Sequence, residues 1–297
     1  MRILIFVEEN GGDWHAMRLK RALLARGADV TVSCLKACAF DTRAAGGLDI
    51  PGCPDGLPDG VFVRSISAGS LEEITFRLGI LHALEACGVR VWNGPRAIER
   101  CVDKSTATFL LQRAGLPVPQ TRTVEGRARA LAGLEGRSMP IVVKPLFGSQ
   151  GNGVRRIDSP DDLPEPDALG GVYYLQEYLR DPAAHAHEDW RIFVSAGRVL
   201  SAMIRRSADW ITNVHQGAEP APLIPDADAT RLALLATAAV GADYAGVDLI
   251  CAADGRLLVL EINSNPAWKG LQSVTATDIA TALAEDFLAA VRAGARA

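Results

Sequence analysis

The sequence lacks the patterns that mark several classes of protein. Its six cysteines include no C-x-x-C pair, its apolar runs stay below the ~18 residues of a membrane span, and its start does not resemble a signal peptide. The formal net charge is −4, which gives no general attraction to nucleic acid or to an acidic membrane. These absences predict a soluble, cytoplasmic protein with reduced thiols that binds neither nucleic acid nor membrane.

Two common nucleotide-binding fingerprints are also missing. The P-loop pattern G-x-x-x-x-G-K-[ST] does not occur, and the NGGD turn at residues 10–13 is too loose for a dinucleotide fingerprint. What is present is a chain of 297 residues with 48% apolar and 22% charged residues. That length and composition predict a globular protein of two or three compact units.

The order of the predicted elements indicates the fold class. Residues 1–95 open as strand, helix, strand, with Ser70 placed to cap a later helix, which predicts an α/β domain with a parallel sheet. From Pro95 the character changes to a helical stretch that stops at Gly115, followed by strands in pairs and two further helices. We therefore expect an α/β domain followed by an α+β region.

The stretch GVDLICAADGRLLVLEINSNP, residues 246–266, predicts a hairpin whose two strands carry unexpected polar residues. With Asp254-Gly255 as a two-residue turn, Asp248 faces Glu261, and Asn263 follows on the same face of the sheet. Like charges directly opposite each other destabilise a sheet, so something must compensate for them. A hard divalent cation held by oxygen ligands is the simplest candidate. A solvent-facing polar edge, or a longer turn that shifts the register, is the alternative.

A second focus is VVKPLFGSQGNGV, residues 142–154. Lys144 ends an apolar strand, and the loop after it carries three closely spaced glycines, at positions 148, 151 and 153. Such glycines let several backbone N–H groups turn toward one anion, so the loop is a candidate phosphate cradle. A plain hairpin loop is the alternative.

Six residues elsewhere carry weaker signals. Each of them has an ordinary alternative as a solvated charge, a surface salt bridge or a hydrogen-bonded loop residue. They are Lys104 at a helix start, Glu177 in a hinge-like LQEYL, Asp189 and Arg191 on one strand face, Arg205 in the next strand, and Asn213 in TNVHQGA.

The order of these pieces resembles the ATP-grasp superfamily and, more narrowly, the RimK-type glutamate ligases. A helix lysine, a strand lysine with a glycine-rich loop, Q-E-Y, D-x-R, T-N-x-H and G-V-D…L-E-I-N-x-N-P follow one another over about two-thirds of the chain. The resemblance implies an ATP-grasp fold in which an N-terminal α/β pre-domain precedes two subdomains that enclose ATP. It divides the chain into the pre-domain at 1–95, a central subdomain with the glycine-rich loop at 96–180, and a C-terminal subdomain with the metal site at 181–297.

The resemblance also implies a nucleotide site. Two lysines would contact the phosphates, the glycine-rich loop would close over them, a hinge would hold adenine and an aspartate would hold the ribose. The residues at the matching positions are Lys104 and Lys144; Gly148, Ser149, Gly151 and Gly153; Glu177 and Tyr178; and Asp189.

The metal and catalytic residues follow from the same resemblance. Asp248, Glu261 and Asn263 would bind two Mg²⁺ ions, with Mn²⁺ as an alternative. The implied reaction activates an acceptor carboxylate as an acyl phosphate, which the amino group of glutamate then attacks. Three further side chains would stabilise the transferring phosphoryl group or the tetrahedral intermediate, namely Arg191, Arg205 and Asn213.

The implied partners are L-glutamate and an acceptor that bears a carboxylate or an amine, in a protein that forms homo-oligomers. The mildly negative charge and the absence of a basic tail favour a small coenzyme over a peptide or protein acceptor. One departure concerns Ile211, because similar ligases usually carry Arg or Lys there. A D-alanine–D-alanine or glutathione-type ligase, a non-catalytic nucleotide-binding regulatory protein and a metal-dependent hydrolase without ATP are the alternative functions.

Overall fold

The computed structural model describes residues 1–8, 13–148, 151–179 and 186–294. Within these ranges no helix combines the length and the apolar character that crossing a membrane requires.

The first part of the chain forms a parallel sheet, as predicted. Strands β1, β2, β5 and β6 lie in the order β2-β1-β5-β6, and every neighbouring pair is parallel. Ser70 caps α2 as expected, in a capping box with Glu73. The elements are β1 (Arg2–Phe6), α1 (Trp14–Leu24), β2 (Asp29–Ser33), β3 (Ala39–Phe40), β4 (Leu48–Asp49), β5 (Gly60–Val63), α2 (Leu71–Ala86) and β6 (Arg90–Trp92).

The middle part forms an antiparallel sheet with the order β7-β10-β8-β9. The helical stretch predicted up to Gly115 consists of two helices, and Lys104 begins the second of them, as predicted. Asp103 ends the first and caps the second by accepting from the N–H groups of Ser105 and Thr106. The elements are α3 (Pro95–Val102), α4 (Lys104–Arg113), β7 (Thr121–Glu125), α5 (Arg127–Ala132), β8 (Ile141–Lys144), β9 (Arg155–Ile157) and β10 (Val172–Glu177).

The last part is built on a five-stranded antiparallel sheet with the order β13-β12-β11-β14-β15. This order places β11 between β12 and β14, so side chains of three strands meet on one face. The elements are β11 (His187–Ser195), β12 (Arg198–Ser207), β13 (Glu219–Leu223), α6 (Ala227–Val240), β14 (Tyr244–Cys251), β15 (Leu257–Asn263), α7 (Lys269–Gln272) and α8 (Ile279–Gly294).

The two faces of the five-stranded sheet belong to different cores. Ile192 and Val247 point toward α6, whereas Phe193 and Tyr244 point toward the N-terminal sheet and α8. Because Phe287 of α8 also lies in this second core, the C-terminal helix packs with the start of the chain. The domain boundaries at 95 and 180 stay predictions.

The β14–β15 hairpin has the predicted register at Asp248 but a different turn and different pairs next to that turn. Asp248 lies opposite Glu261, and Gly246 lies opposite Asn263. The two-residue turn is wrong, because Gly255 donates its N–H to the carbonyl of Ala252 and adopts φ +85°, so the loop has three residues. A bulge after Asp248 then shifts the register by one residue and restores the predicted pair.

Candidate active site

One cavity brings together three of the predicted site residues. Lys104 at the start of α4, Lys144 at the end of β8 and Glu261 on β15 all line it. Two ammonium groups and one carboxylate thus face a shared space with mostly apolar walls. The other lining residues are Cys101, Ala107, Thr108, Leu111, Tyr174, Leu260 and Ile262.

Lys144 is held by a buried polar network. Its Nζ donates to Oε1 of Gln176 at 2.7 Å and lies 5.8 Å from the centre of the Tyr174 ring. Gln176 donates in turn to the hydroxyls of Tyr174 and Thr121, at 3.1 and 3.2 Å. Because β10 runs antiparallel to β8 with Tyr174 opposite Lys144, the alternation of the two strands fixes this arrangement.

Lys104 holds the start of the glycine-rich loop. Its Nζ donates to the carbonyls of Leu146 and Gly148, at 3.3 and 3.0 Å. Burial lowers the pKa of Lys104, and the carboxylates of Glu261 and Asp103 oppose that shift. The ammonium group therefore belongs to the cavity rather than to the solvated helix surface.

The glycine-rich loop packs against the loop that carries Asn213. A methyl group on Gly151, which has φ +75°, would lie 2.8 Å from Nε2 of Gln216 and 3.0 Å from Nδ2 of Asn213. A methyl group there would push both amides aside and strain the left-handed backbone, so the position favours glycine. Gly148 and Gly153 also have positive φ, +143° and +73°, whereas Ser149 lies outside the described residues.

Five charged side chains form a row across the C-terminal sheet. We call Arg205, Asp189, Arg191, Asp248 and Glu261 the charged row. Neighbours face each other across strands in the pairs 189–205, 191–248 and 248–261. The row therefore crosses four strands. Arg205 lies on β12, Asp189 and Arg191 on β11, Asp248 on β14 and Glu261 on β15.

Short charge-assisted hydrogen bonds tie the row together. Arg205 donates Nε and Nη2 to Asp189 at 2.6 and 2.8 Å, and its Nη2 lies 3.0 Å from Oδ2 of Asp248. Arg191 holds Asp248 with two bonds of 2.6 Å. Thr212 donates its hydroxyl to Asp189 at 2.5 Å. The predicted ribose contact of Asp189 stays a prediction, while its position makes it the residue that holds Arg205.

Burial determines how these charges titrate. Asp189, Arg205 and Asp248 are each only 3% exposed. Burial alone would raise the pKa of Asp248, but Arg191 and Arg205 outweigh it and lower the pKa below its usual value. The guanidinium groups of Arg191 and Arg205 thus compensate the negative charge of Asp248. From the sequence we predicted that a metal ion would do so. The pKa of Arg205 is raised by the two aspartates against the effect of burial.

The far end of the row suits a divalent cation. Glu261 and Asn263 lie on one face of β15, half-buried, and no described residue forms a hydrogen bond with either side chain. Oxygen donors of this kind fit Mg²⁺. Among the described residues no three His, Cys, Asp or Glu side chains are placed to hold a metal ion together, so a site here would combine the carboxylates of Asp248 and Glu261 with the amide oxygen of Asn263.

The predicted hinge lies at the end of β10. Oε1 of Glu177 accepts the N–H of Gln120 at 2.9 Å, and the backbone N–H of Glu177 donates to the carbonyl of Gln120. The ring of Tyr178 packs edge-on against Trp210 at 5.8 Å and under the guanidinium of Arg156 at 5.2 Å. This aromatic surface was not predicted, because Trp210 is 32 residues away along the chain.

Other site residues were missed although a signal existed for some of them. Tyr174 and Gln176 alternate with apolar residues and precede the predicted hinge, so the period of two could have placed both on the face of Lys144. Thr108 lies one helical turn after Lys104, and its hydroxyl is 2.8 Å from that of Tyr174.

Comparison with known proteins agrees with this arrangement. Residues 101–287 match the family model described as RimK-like ATP-grasp domain. The chain is 36% identical over 233 residues to the tetrahydromethanopterin:alpha-L-glutamate ligase of Methanococcus maripaludis, which covers 76% of this chain and 78% of that protein. It is 32% identical over 206 residues to a probable alpha-L-glutamate ligase of Haemophilus influenzae, with 68% of each chain covered.

Solved structures agree at the level of the fold. The ATP-grasp ligase PsnB with a minimal precursor superposes with a TM-score of 0.74 at 21% identity, covering 97% of both chains. The ATP-grasp RimK domain protein of Sphaerobacter thermophilus gives a TM-score of 0.69 at 18% identity, covering 97% of this chain and 100% of that one. The predicted ATP-grasp fold is confirmed.

Proposed function

The chain belongs to the RimK-like ATP-grasp family and is an ATP-dependent ligase, and on that premise we propose that it joins L-glutamate to the carboxylate of a small-molecule acceptor. The glutamate and the small acceptor are supported by the names of its curated relatives, which include three tetrahydromethanopterin:alpha-L-glutamate ligases.

The observation that carries the proposal is the convergence of Lys104, Lys144 and Glu261 on one cavity beside the charged row. Two cations and a carboxylate around one cavity suit a polyphosphate with its counterion better than they suit an uncharged ligand. The glycine-rich loop would add backbone N–H groups on one side, and Lys104 bonds to two carbonyls at its start, those of Leu146 and Gly148.

The proposed reaction has two steps. An oxygen of the acceptor carboxylate attacks the γ-phosphorus of ATP, so that a P–O bond forms, the bond to the β,γ-bridging oxygen breaks and ADP leaves. The amine nitrogen of glutamate, having lost a proton, then attacks the acyl carbon of the acyl phosphate. The C–N bond forms, the C–O bond to phosphate breaks, and the products are an amide and phosphate.

The residues of this chain bind and orient the reactants rather than attack them. Lys104 and Lys144 would hold the phosphate oxygens, and Glu261 and Asn263 with Asp248 would hold two Mg²⁺ ions, or Mn²⁺ in their place. Bound Mg²⁺ would neutralise the charge on the phosphate oxygens. Arg191 and Arg205 lie next to Asp248 and would supply positive charge close to the transferring group.

Four further assignments complete the proposed site. Asn213 would act beside the glycine-rich loop, where Gly151 approaches it closely. Glu177, Tyr178 and the adjacent Trp210 would hold adenine. Because Ile211 replaces a basic residue of similar ligases, we assign no phosphate contact to that position.

We also propose that the protein works in the cytoplasm as a homo-oligomer.

The test is ATP turnover with Mg²⁺ and each amino acid in turn, paired with candidate acceptors that include reduced pterin coenzymes and short peptides. ADP release that depends on glutamate, together with a product heavier by one glutamate residue in mass spectrometry, is the expected result. Turnover with another amino acid only would overturn the choice of glutamate, and turnover with peptides only would overturn the choice of a small acceptor.

A pair of matched variants tests the site itself. Glu261→Gln keeps the shape of the side chain and removes the charge, so turnover should fall by at least about 100-fold if the carboxylate holds the ion. Glu219→Gln on the exposed face of β13 makes the same change outside the cavity and should leave turnover unaltered. Equal activity of the two variants would contradict the proposed metal site.

A further inference from the structure

The segment that follows the proposed metal strand is fixed from the N-terminal sheet. Asn93, just after β6, is completely buried and uses its whole amide group. Its Nδ2 donates to the carbonyls of Ser264 and Tyr244, at 2.6 and 2.8 Å. Its Oδ1 accepts the N–H groups of Asp243 and Tyr244, at 2.5 and 3.1 Å. One side chain therefore ties the end of β15 to the start of β14.

A second tie comes from the end of β5. Nη1 of Arg64 donates to the carbonyl of Asn265 at 3.0 Å, and Nδ2 of Asn265 donates back to the carbonyl of Val63 at 2.8 Å. Arg64 is 7% exposed, so its guanidinium is itself fixed. It lies 3.1 Å from Asp13 and 5.3 Å from the centre of the Trp268 ring.

The segment held in this way reaches the charged row. Pro266 folds back over β14, where a methyl group on Gly246 would lie 2.8 Å from Cβ of Pro266 and 3.4 Å from Cδ of Arg191. Only a glycine leaves room for both neighbours. Residues 263–266 thus run from Asn263 at one end to Pro266 at the other, which lies over Gly246 on the side where Arg191 also lies.

We propose that Arg64 and Asn93 are positioning residues for the metal site of this ligase. Neither side chain contacts Glu261 or Asn263, so each acts through the backbone of residues 264–265. The inference rests on the proposed function, because it takes Glu261 and Asn263 as ligands of the divalent ion. Its consequence is that a residue of the N-terminal sheet sets the affinity for the ion.

The chain offers a matched pair of arginines for the test. Arg90 resembles Arg64 in its surroundings, since its guanidinium lies 5.1 Å from the centre of the Trp92 ring and pairs with Asp243. It also links the N-terminal sheet to the C-terminal part of the chain, but it has no contact with residues 263–266. Arg64→Met and Arg90→Met therefore each remove a guanidinium that pairs with an aspartate beside a tryptophan, although the side chain of Arg90 is more exposed, 32% against 9%. Only Arg64 bonds to residues 263–266, and the bond from the backbone of Asp243 to Asn93 does not involve the side chain of Arg90.

The measurement is the affinity for Mn²⁺ in the presence of a non-hydrolysable ATP analogue, followed by electron paramagnetic resonance. Arg64→Met should weaken Mn²⁺ binding by about tenfold, the loss expected for one hydrogen bond to a charged group, and Arg90→Met by less than about twofold. Thermal unfolding of both variants separates this effect from a general loss of stability. Asn265→Ala, which removes the bond to Val63, should also weaken Mn²⁺ binding. It provides the test if Arg64→Met does not fold.

Equal Mn²⁺ affinities of Arg64→Met and Arg90→Met, with wild-type affinity in Asn265→Ala, would overturn the positioning role. Partial recovery in Arg64→Lys, which keeps one donor near Asn265, would support it. Failure of the proposed function gives a different pattern. In that case the wild-type protein binds no Mn²⁺ with the analogue, or Glu261→Gln binds it as well as the wild type does.

Discussion

Removal of Arg205 tests whether the charged row is held together as a unit. The guanidinium lies between Asp189 and Asp248, with contacts of 2.6, 2.8 and 3.0 Å, and all three residues are 3% exposed. Arg205→Met keeps much of the side-chain volume and removes the charge. Two carboxylates then share a buried site with one guanidinium, that of Arg191.

The loss of folding stability in Arg205→Met depends on which carboxylate loses its counterion. Breaking a buried ion pair by removing one partner costs about 3–5 kcal/mol. Asp248 keeps its two bonds of 2.6 Å to Arg191, so most of the loss falls on Asp189. Because the hydroxyl of Thr212 still donates to Asp189, we expect a loss near the lower end, about 3 kcal/mol.

The assay is a double-mutant cycle in guanidinium chloride. Asp189→Asn, Arg205→Met and the double variant are compared with wild type, and the coupling energy should be at least about 1.5 kcal/mol, because the pair has two charge-assisted hydrogen bonds. The neighbouring pair Glu188–Arg206 is the control. It lies one residue along each strand, has a distance of 3.3 Å and side chains 49% and 56% exposed. Its coupling should stay below about 0.5 kcal/mol.

Equal coupling energies for the buried and the exposed pair would refute this reasoning. Such a result would mean that water or side-chain rearrangement compensates Asp189 as fully as Arg205 does. A double variant less stable than the sum of the single changes would refute it as well, because removal of both charges should relieve repulsion between Asp189 and Asp248 rather than add to it.

Three further predictions concern other parts of the site. Gly151→Ala should weaken ATP binding, because the added methyl group would crowd Gln216 and Asn213. The control is Gly170→Ala, which is also at positive φ but has open space around it and should leave ATP affinity unchanged. Equal ATP affinities of the two variants in a calorimetric titration would contradict the prediction. The pKa of Asp248 is lower in the folded protein than in the unfolded chain. The ionised carboxylate therefore stabilises the fold fully above the unfolded pKa of about 3.9, and this stabilisation is lost as the pH falls through the pKa of the folded protein. The melting-temperature difference between wild type and Asp248→Asn should therefore be largest near neutral pH and shrink toward pH 3, and a difference that is constant with pH would contradict it. Burial raises the pKa of the Cys101 thiol to about 12, so iodoacetamide at pH 8 should alkylate the exposed Cys87 and Cys251 first in peptide mass spectrometry, and equal rates would be the contrary result.

The alternation of strand residues predicted that Asp248 faces Glu261 in the hairpin, although the predicted turn was wrong. A three-residue loop displaces the register by one position, and the bulge after Asp248 displaces it back. Sequence shows the Asp-Gly signal of a tight turn but does not show a bulge, because Leu260 looks like any other apolar strand residue. The pair Asp248–Glu261 was thus predicted correctly, through two deviations that cancel.

The alternation of strand residues could not predict the counterions of Asp248. A period of two places Asp189 and Arg191 on one face of β11, but it does not say which strands flank β11. That depends on the order of the sheet, in which β14 lies beside β11 although the facing residues Arg191 and Asp248 are 57 positions apart along the chain, with α6 between them. Without this order, a carboxylate inside a strand indicates only that something positive must be close, and a metal ion was the simplest choice.

Asn93 shows where local patterns carry no signal at all. It follows the short strand β6 and looks like an ordinary turn residue in the sequence WNGP. Its four hydrogen bonds go to residues at least 150 positions away, on two strands that meet only after the C-terminal sheet has formed. Complete burial of an amide requires that all of its donors and acceptors be satisfied, so this position is dictated by the packing of the N-terminal sheet on the last hairpin. Because the same residue fixes the segment after Asn263, the arrangement of the proposed metal site depends on long-range packing as well as on the hairpin that carries its carboxylates.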